Sequence, residues 1–584
     1  MSCLGAKLNY AKLFTKHCLP VSAVNYSTKW SYFNQPGKDP LLGLTVGQLL
    51  DQSAELYGDN EAVVFCQSNT RKTYTQFKQD ADKFAAGLIA TGLKKGDRIG
   101  IWSPNYYEWI LTQYASAKAG LILVNINPAY QTRELEYSLK KVGIRALISA
   151  ETFKTQKYYE MLQSILPLLS TSSPGQIKDR LEGFTHLIMI SDKNYAGSYK
   201  ISDVMNAAES KHYKELEDLQ SEIQFDSPAN IQFTSGTTGN AKGTMLSHFN
   251  IVNNGYLVGE KMKYFDRIHR ICLPVPLYHC LGCVVGSIAA VKYGACMVFP
   301  TPSFNATATA QALDKEKCTA VYGTPTMFID ILNLPDIDKY DFSSVTTGII
   351  SGAACPEVIF KKTGEILNAK NLAVCYGCTE TSPVITQTSH EDSIETKSTT
   401  VGKVLQHTEL KIVDPVTKQI VPCGQSGELW SRGYLVMLEY WNEPEKTAEC
   451  ITPDRWYRTG DLAVADEEGY IRIVGRIKDM IIRGGENIYP REIEEFLHTH
   501  PKIAQAHVVG VPDPRLGEEL CVWINLKPGE TLSEQEVRVY CKGQLSHFKI
   551  PRYMKFVDKF PTTISGKIQK FVIREKATKE LNLK

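Results

Sequence analysis

The segment TSGTTGNAKG, residues 234–243, combines three glycines, four hydroxyl side chains and one lysine. Glycine and hydroxyl residues let a loop present N–H and O–H donors, and lysine adds positive charge, so the pattern predicts a phosphate-binding loop. A plain surface turn is the alternative for such a loop taken alone. The residues predicted to contact phosphate are Thr234, Ser235, Gly236, Thr237, Thr238, Gly239, Asn240, Ala241 and Lys242.

The loop differs at two positions from the Walker-type phosphate loop, G-x-x-x-x-G-K-[ST]. Ala241 stands where that motif has its second glycine, and Gly243 stands where it has the magnesium-binding hydroxyl. A Walker loop also opens directly into a helix. Here Thr244–Leu246 is strand-like, and the next residue suited to cap a helix is Ser247. We therefore predict a phosphate loop of another design, entered from an apolar strand at Ile231–Phe233.

Seven further segments follow the loop along the chain, and together the eight resemble the motifs of the adenylate-forming superfamily. That superfamily contains acyl-CoA synthetases, luciferases and the adenylation domains of peptide synthetases. The seven segments are PLYH (276–279), YGTPT (322–326), YGCTE (376–380), SGELWSRG (426–433), YRTGD (457–461), GRIKDMIIRGGENIYP (475–490) and PTTISGKIQK (561–570).

Within the superfamily, the chain most resembles the mitochondrial medium-chain acyl-CoA synthetases. The resemblance implies an AMP-forming acid–thiol ligase. Its carboxylate substrate, a fatty acid, would react with ATP to give acyl-AMP and pyrophosphate, and coenzyme A would then displace AMP. ATP, Mg²⁺ and coenzyme A would be required, and the medium chain length rests on the resemblance alone.

The resemblance also assigns catalytic roles to four residues. Lys567 would bridge the carboxylate and the α-phosphate and offset the charge that builds there. Glu380 would bind Mg²⁺, because one carboxylate plus phosphate oxygens suits the octahedral, water-rich coordination of that ion, and Thr379 would add a hydroxyl. His279 would line the acyl pocket as a wall or gate, since an ionised carboxylate needs no general base. Solvated surface positions for Glu380 and Lys567, and a core histidine, are the alternatives.

Other residues would bind the nucleotide of ATP. Tyr376 would lie near adenine, and the small residues Ser351–Ala354 would form the adenine-side wall. Asp461 would accept hydrogen bonds from the ribose hydroxyls, a task suited to an acceptor-only carboxylate. Arg476 would help from the other side, and a routine salt bridge is the alternative for this pair.

The position of Lys567, about ninety residues beyond a predicted hinge at 476–479, implies a moving lid. Lys478 occupies the hinge position of the superfamily, and motion there would remove the lysine and bring another face to the acyl-adenylate. The glycines of the RGGEN segment permit close backbone approach. By the resemblance, Gly484, Gly485 and Glu486 would therefore line the channel for coenzyme A.

The elements that must hold these residues alternate between strands and helices. Arg98–Trp102 reads as a strand, Tyr106–Ala119 as a helix, Leu121–Asn125 as a strand, Thr132–Val142 as a helix and Ile144–Ser149 as a strand. Such alternation predicts an α/β fold whose large N-terminal domain has mixed, largely parallel sheets covered by helices. The predicted domains are the large domain at 39–475, the hinge, and a small α+β C-terminal lid domain at 480–584.

The composition of the chain limits which classes of molecule it is expected to bind. The chain has 65 basic and 63 acidic side chains, so it lacks the overall basic field that sequence-independent nucleic-acid binding needs. The longest apolar run, Leu281–Val291, is too short to span a bilayer and predicts a buried core element. The sequence contains two CxxC pairs, Cys280/Cys283 and Cys375/Cys378, and one interpretation of them is a four-thiolate zinc site. Their wide separation favours buried thiols instead.

The first 38 residues differ in composition from the rest. They contain no acidic residue, whereas Lys7, Lys12, Lys16, Lys29 and Lys38 are basic. An acid-poor cationic leader is typical of a mitochondrial transit peptide, although this one lacks arginine. We predict a transit peptide at 1–38 and a location in the mitochondrial matrix, with a disordered terminus as the alternative.

Two other functions remain as alternatives at this stage. The chain could adenylate another carboxylic acid, or pass its adenylate to another acceptor as peptide synthetases and luciferases do. Alternatively, it could transfer or hydrolyse the γ-phosphate of ATP. The products separate them, because an adenylating ligase releases AMP and pyrophosphate only when acid is present, whereas a γ-phosphate enzyme forms ADP.

Overall fold

The computed structural model describes residues 29–234, 241–353, 355–484, 486–563 and 567–583. Several residues named above lie outside this described part: 1–28 of the leader, Ser235 to Asn240 of the loop, Ala354 and Gly485.

The described residues form an eight-stranded sheet whose first six strands run parallel. The seventh strand is antiparallel to the sixth, and the eighth is antiparallel to the seventh. In spatial order, its strands are Tyr199–Lys200, His186–Ile190, Ala146–Ala150, Arg98–Trp102, Ile122–Asn125, Pro228–Thr234, Lys242–Ser247 and Glu439–Tyr440. A parallel sheet is buried on both faces, and four of the five residues of Arg98–Trp102 are buried, as are all five of Ala146–Ala150.

A nine-stranded sheet, counted over the same described residues, carries Tyr376 on one strand, and Ser351, Thr379 and Glu380 closely follow the ends of its strands. Its strands are Lys403–Val404, Val384–Gln387, Asn371–Gly377, Thr347–Ile350, Ala320–Gly323, Arg270–Cys272, Cys296–Phe299, Glu61–Phe65 and Thr70–Thr73. The six strands from Asn371–Gly377 to Glu61–Phe65 are parallel to one another. Ligand-binding residues of such sheets gather outside the carboxyl ends of the strands, where Tyr376 and Thr324 lie.

Helices cover both sheets with their apolar faces. Up to residue 450, the described α-helices are Val46–Tyr57, Tyr74–Ala90, Tyr107–Lys118, Thr132–Val142, Tyr158–Ile165, Ile201–Asn206, Ser210–Glu222, His248–Lys261, Ser287–Lys292, Ala306–Lys315, Pro325–Leu332, Glu357–Ile366, Ile394–Thr399 and Pro444–Cys450. The run predicted as a buried core element forms a fully buried π-helical segment, Leu281–Gly286, that continues into Ser287–Lys292. No helix among the described residues is long and apolar enough to cross a membrane.

A five-stranded antiparallel sheet of described residues combines one strand from the start of the described chain with four strands between residues 408 and 476. Its strands are Tyr32–Gln35, Thr408–Val413, Gly427–Gly433, Tyr457–Ala465 and Ile471–Arg476. The first of them pairs with Thr408–Lys411, and Ser31 beside it is fully buried. The predicted leader, 1–38, therefore overlaps a strand of the folded protein.

Beyond a single 3₁₀ turn at Ile477–Asp479, the chain forms a smaller α+β unit with its own core. Its described strands are Ile481–Arg483, Glu486–Ile488, Ile503–Asp513, Gly517–Leu526 and Tyr553–Phe556, and its described helices are Pro490–His498, Glu534–Cys541 and Lys570–Glu580. A two-stranded hairpin, Thr152–Phe153 with Gln156–Lys157, completes the described strands. The predicted fold class, a large α/β part of mixed sheets and a small α+β part, is confirmed.

Candidate active site

The predicted phosphate loop connects two antiparallel strands. Thr234 pairs with Lys242, and Phe233 pairs with Gly243, so these residues form the base of a hairpin. The strand after the loop runs to Ser247, whose side chain accepts a hydrogen bond from Asn250 N–H and so caps the next helix. The loop therefore does not open into a helix as a Walker loop does, and its base presents Thr234 and Lys242 side by side.

A tyrosine that the sequence analysis missed connects the loop with the predicted metal ligand. Lys242 Nζ lies 2.8 Å from Tyr440 Oη and 3.9 Å from the centre of its ring. Tyr440 Oη in turn donates a hydrogen bond of 2.7 Å to Glu380 Oε1. Burial, and then the Glu380 carboxylate, raise the pKa of Tyr440, so its hydroxyl stays protonated and remains a donor. The three residues thus form one hydrogen-bonded chain.

Glu380 lies on a short 3₁₀ turn, Thr379–Thr381, and is only 8% exposed, which excludes the surface alternative. One carboxylate oxygen accepts from Tyr440, and no hydrogen bond of the described residues uses Oε2. A buried carboxylate with one oxygen available fits the single protein ligand of a Mg²⁺ ion that takes its other oxygens from phosphates and water. Thr379 precedes it on the same turn and is half-buried.

The three residues predicted to bind the nucleoside contact one another. Tyr376 Oη donates to Asp461 Oδ2 at 2.7 Å, and Arg476 Nε lies 3.1 Å from Asp461 Oδ1. Asp461 and Arg476 are cross-strand partners in the antiparallel sheet. Burial raises the pKa of Asp461, and Arg476 and Tyr376 oppose that rise. The salt-bridge alternative is correct for this pair in the structure, and it leaves the ribose-binding role as a prediction.

Lys567 reaches the large part of the molecule from the C-terminal unit. Its Cε lies 3.8 Å from the position that a Cβ on Gly352 would take. Within its own segment, Lys567 N–H donates to Thr563 Oγ1 at 3.1 Å, and Lys567 C=O accepts from Thr563 N–H at 2.8 Å. Burial and the Arg476 guanidinium lower the pKa of Lys567, whereas Glu380 acts in the opposite direction. Lys567 is half-buried in this position.

His279 begins the turn that leads into the buried π-helical segment. Its Nδ1 accepts a hydrogen bond from Leu281 N–H at 3.2 Å, so the neutral ring carries its proton on Nε2. Burial, and then the Lys567 ammonium, lower the pKa of His279 to about 3. A ring that stays neutral and has its basic nitrogen engaged is unsuited to general-base catalysis, which supports the predicted role as a wall.

The residues predicted to form the coenzyme A channel lie apart from this cluster. Gly484 and Glu486 are exposed at the turn of the hairpin Ile481–Ile488, and no hydrogen bond or ion pair of the described residues joins them to Glu380 or Lys567. Gly484 has φ of +57°, a conformation that favours glycine. The same unit contains a cavity of about 750 Å³, whose lining includes Arg483, Arg515, Arg538, Lys542, His547 and Arg552.

The cysteines considered for zinc are free thiols. Cys280, Cys283 and Cys375 are buried, Cys378 is half-buried, and burial raises the pKa of each thiol. In the described ranges of the chain, no group of three or more His, Cys, Asp or Glu side chains is arranged to hold a metal ion.

Comparisons with known proteins bear on the family of the chain. Residues 50–441 match the family described as AMP-binding enzyme, and residues 492–567 match the AMP-binding enzyme C-terminal domain. The mitochondrial medium-chain acyl-CoA ligase ACSF2 of Danio rerio is 52% identical over 554 residues, 95% of this chain and 91% of that protein. The Homo sapiens protein of the same name is 47% identical over 560 residues, again 95% and 91%.

Among solved structures, ATP-bound MatB from Rhodopseudomonas palustris superposes with a TM-score of 0.79 at 25% identity, over 92% of this chain and 100% of that chain. Apo MatB superposes less well, with a TM-score of 0.69 over the same 92% of this chain.

Proposed function

This chain belongs to the family of AMP-binding enzymes, and from that premise we propose that it is an AMP-forming acyl-CoA synthetase for medium-chain fatty acids. The observation that carries the proposal is the position of Lys567. This lysine comes from the small C-terminal unit and reaches Gly352 of the large part, and its pKa responds to Arg476 and Glu380. A cation brought to the predicted nucleotide-binding residues suits a reaction in which two anions must meet.

In the first half-reaction, a carboxylate oxygen of the acid attacks the α-phosphorus of ATP, the bond to the β-phosphate breaks, and pyrophosphate leaves. Because both reactants are anionic, positioning and charge stabilisation supply most of the catalysis. The Lys567 ammonium would lie between the carboxylate and the α-phosphate. Lys242 and the donors of the loop 234–242 would hold the β- and γ-phosphates, and Thr379 would add a hydroxyl.

Glu380 would hold a Mg²⁺ ion, which when bound neutralises part of the charge on the phosphates. The Tyr440 hydroxyl fixes the carboxylate for this role, because it donates to Oε1 and leaves Oε2 for the ion. The hydroxyl of the same tyrosine accepts a hydrogen bond from Lys242, so it fixes the loop lysine and the predicted metal ligand relative to each other.

For the nucleoside, Asp461 would accept hydrogen bonds from the ribose hydroxyls while Arg476 stays paired to it. Tyr376 would then orient Asp461 through its hydroxyl and present its ring toward adenine, with Ser351 in the opposite wall. Support for this role comes from the mutual contacts of Tyr376, Asp461 and Arg476, which fix the carboxylate in a polar cluster.

In the second half-reaction, the thiol of coenzyme A attacks the acyl carbonyl and AMP leaves. We infer that residues 480–584 turn about the hinge 476–479, with Lys478 at its centre, so that Lys567 withdraws and Gly484 to Glu486 line the thiol channel. The cavity beside Arg483 supports this arrangement, because Arg515 and Lys542 in its lining offer positive charge to the phosphates of coenzyme A, whereas Arg552 is paired with Asp513.

The acid and the compartment are inferred from the relatives. Relatives at 47–52% identity are named as mitochondrial medium-chain acyl-CoA ligases. The acid-poor leader agrees with a mitochondrial matrix location. Since Ser31 is buried and Tyr32–Gln35 is a strand of the fold, we place the end of the leader before Lys29 rather than at Lys38.

The proposal is tested by the products. Purified protein would be incubated with ATP, Mg²⁺, coenzyme A and straight-chain acids from acetate to palmitate, and AMP, ADP, pyrophosphate and acyl-CoA would be quantified. We expect AMP and pyrophosphate in equal amounts, no release without acid, and the highest kcat/KM for medium-chain acids. Formation of ADP, or AMP release that is independent of acid, would overturn the proposal.

A further inference from the structure

Thr324 lies between the strand Ala320–Gly323 and the helix Pro325–Leu332, at the carboxyl end of the strand. Its side-chain hydroxyl makes no hydrogen bond with the described residues. Thr324 occupies the N-cap position with extended backbone angles, where a threonine hydroxyl ordinarily accepts a hydrogen bond from the first turn. Here the side chain makes no cap hydrogen bond. Thr324 is 3% exposed, and its Oγ1 is buried without a hydrogen-bond partner among the described residues.

A buried hydroxyl without a partner costs free energy, because it has given up its hydrogen bonds to water. Thr309 avoids that cost, because it is fully buried at the start of the helix Ala306–Lys315 and donates to Asn305 C=O at 2.7 Å. Thr244 on the strand Lys242–Ser247 does not avoid it, since its hydroxyl is also buried without a partner among the described residues. The unpartnered hydroxyl of Thr324 is available to a ligand, and its neighbours carry the assignment.

The neighbours of Thr324 indicate which ligand. Gly352 has φ of +88°, and a Cβ there would lie 3.4 Å from Thr324 Cγ2 and 3.8 Å from Lys567 Cε. Thr324 and Lys567 therefore lie close to the same glycine. The phosphate-loop residues Lys242 and Thr234 belong to the other large sheet, so they lie on different elements from Thr324.

We propose that the Thr324 hydroxyl donates a hydrogen bond to the carboxylate that is being activated and, after adenylation, to the carbonyl oxygen of the acyl-adenylate. This inference rests on the proposed function. The hydroxyl and the Lys567 ammonium would hold the carboxylate from two directions, so that one oxygen faces the α-phosphorus. The uncapped first turn of Pro325–Leu332 adds its partial positive charge to the same region.

The test uses Thr324→Val, which replaces the hydroxyl by a methyl group of similar size, and Thr324→Ser, which keeps the hydroxyl. Thr309→Val is the matched control, because it removes a buried hydroxyl that has a partner. For each protein we would measure kcat/KM for octanoate by pyrophosphate release. We would also record the melting temperature with and without an octanoyl sulfamoyl adenylate analogue.

We expect Thr324→Val to lower kcat/KM for octanoate by about 10- to 100-fold, the range for a hydrogen bond to a charged group. Its melting temperature without ligand should stay equal to or above that of the wild type, while the shift caused by the analogue becomes smaller. Thr324→Ser should stay within a few-fold of the wild type. Thr309→Val should show the reverse pattern, a lower melting temperature with an unchanged kcat/KM.

Two results would overturn the inference. One is a Thr324→Val enzyme with wild-type kcat/KM and a wild-type shift with the analogue. The other is a loss of melting temperature in the ligand-free Thr324→Val protein as large as in Thr309→Val, which would show a structural role. Failure of the proposed function is distinguishable from both, because the wild type itself would then release no pyrophosphate with octanoate.

Discussion

The charge of Lys567 should set the alkaline limit of the first half-reaction. Burial and the Arg476 guanidinium lower its pKa below the ordinary value of 10.5. The protonated form is the one that offsets charge, so adenylation should be complete at pH values below the folded pKa and should be lost as the pH rises through it. Bound ATP and acid are anionic and raise that pKa, and the fall in kcat should therefore come at higher pH than the fall in kcat/KM.

Two variants check this assignment. Lys567→Ala should abolish pyrophosphate release but leave most of the thiol step when acyl-AMP is supplied ready-made. Lys567→Arg keeps a cation that does not titrate in this range, so its slower adenylation should lack the alkaline fall. An alkaline limb that persists unchanged in the arginine variant would assign it to another group.

Tyr440 should matter for nucleotide binding through Glu380. The Tyr440→Phe variant removes the hydroxyl that joins Lys242 to Glu380 and leaves the buried carboxylate without its donor. We expect kcat/KM for ATP to fall by about 10-fold, as for one hydrogen bond to a charged group, together with a higher requirement for Mg²⁺. Titration of activity with Mg²⁺ at fixed ATP would measure it. An unchanged Mg²⁺ requirement would separate Tyr440 from the metal site.

At the scale of elements, the segment Pro561–Gln569 carries Lys567 and is closed at both ends. Gln569 N–H donates to Pro561 C=O at 2.9 Å, and Thr562 bridges to Ile568. The next residue, Lys570, starts the helix Lys570–Glu580 and pairs with buried Glu494 at 2.7 Å. Glu494 therefore fixes the point from which the lysine-bearing segment departs.

Replacement of Glu494 by glutamine should affect the two half-reactions unequally. Burial raises the pKa of Glu494. Lys570, His507 and the Val508 N–H together lower that pKa by more than burial raises it, so the net shift is downward. Its stabilising effect is then present above the ordinary carboxyl pKa and is lost as the pH falls through the folded pKa. Glu494→Gln should cost about 2 kcal/mol of stability and slow adenylation more than the thiol step.

The Glu492→Gln variant is the matched control, since Glu492 lies on the same helix, is 47% exposed and pairs only with Lys549 among the described ion pairs. It should leave both the melting temperature and the ratio of the half-reactions unchanged. An equal loss of both half-reactions in Glu494→Gln would mean that Glu494 stabilises the unit without positioning Lys567.

Short sequence patterns predict individual helices and strands, but they do not predict which distant segments pair in the fold. The segments Thr132–Val142 and Arg98–Trp102 have the same bounds in both, because helical spacing and β-branched runs act within a few residues. The five-stranded antiparallel sheet was not predicted, and the pairing of its first strand, Tyr32–Gln35, with Thr408–Lys411 joins residues far apart in sequence. Tyr440 was missed for the same reason: it reaches Glu380 because Glu439–Tyr440 pairs with Thr244 and Met245.

At the scale of the whole molecule, contacts between described residues hold the small unit against the large one. Arg491 Nη1 donates to Ile473 C=O at 2.6 Å, and Lys567 lies beside Gly352. The chain passes between the two parts only through the 3₁₀ turn Ile477–Asp479. One short connection is what a rotation between two catalytic positions requires, since the dihedral change of a domain rotation is absorbed by a few linker residues.

Lys478→Pro should confine the molecule to the observed arrangement. The proline ring fixes φ near −65°, which is compatible with the 3₁₀ turn at Ile477–Asp479, and proline is tolerated in the first turn of a helix. A rotation that needs a different φ at this position becomes costly. We therefore expect Lys478→Pro to form acyl-AMP and pyrophosphate at near wild-type rates but to make acyl-CoA at least 10-fold more slowly.

Lys478→Ala removes the same side chain without restricting φ and should retain both steps. Single-turnover assays of each half-reaction would decide the matter, and loss of adenylation in the proline variant, or full acyl-CoA synthesis by it, would contradict a hinge at Lys478.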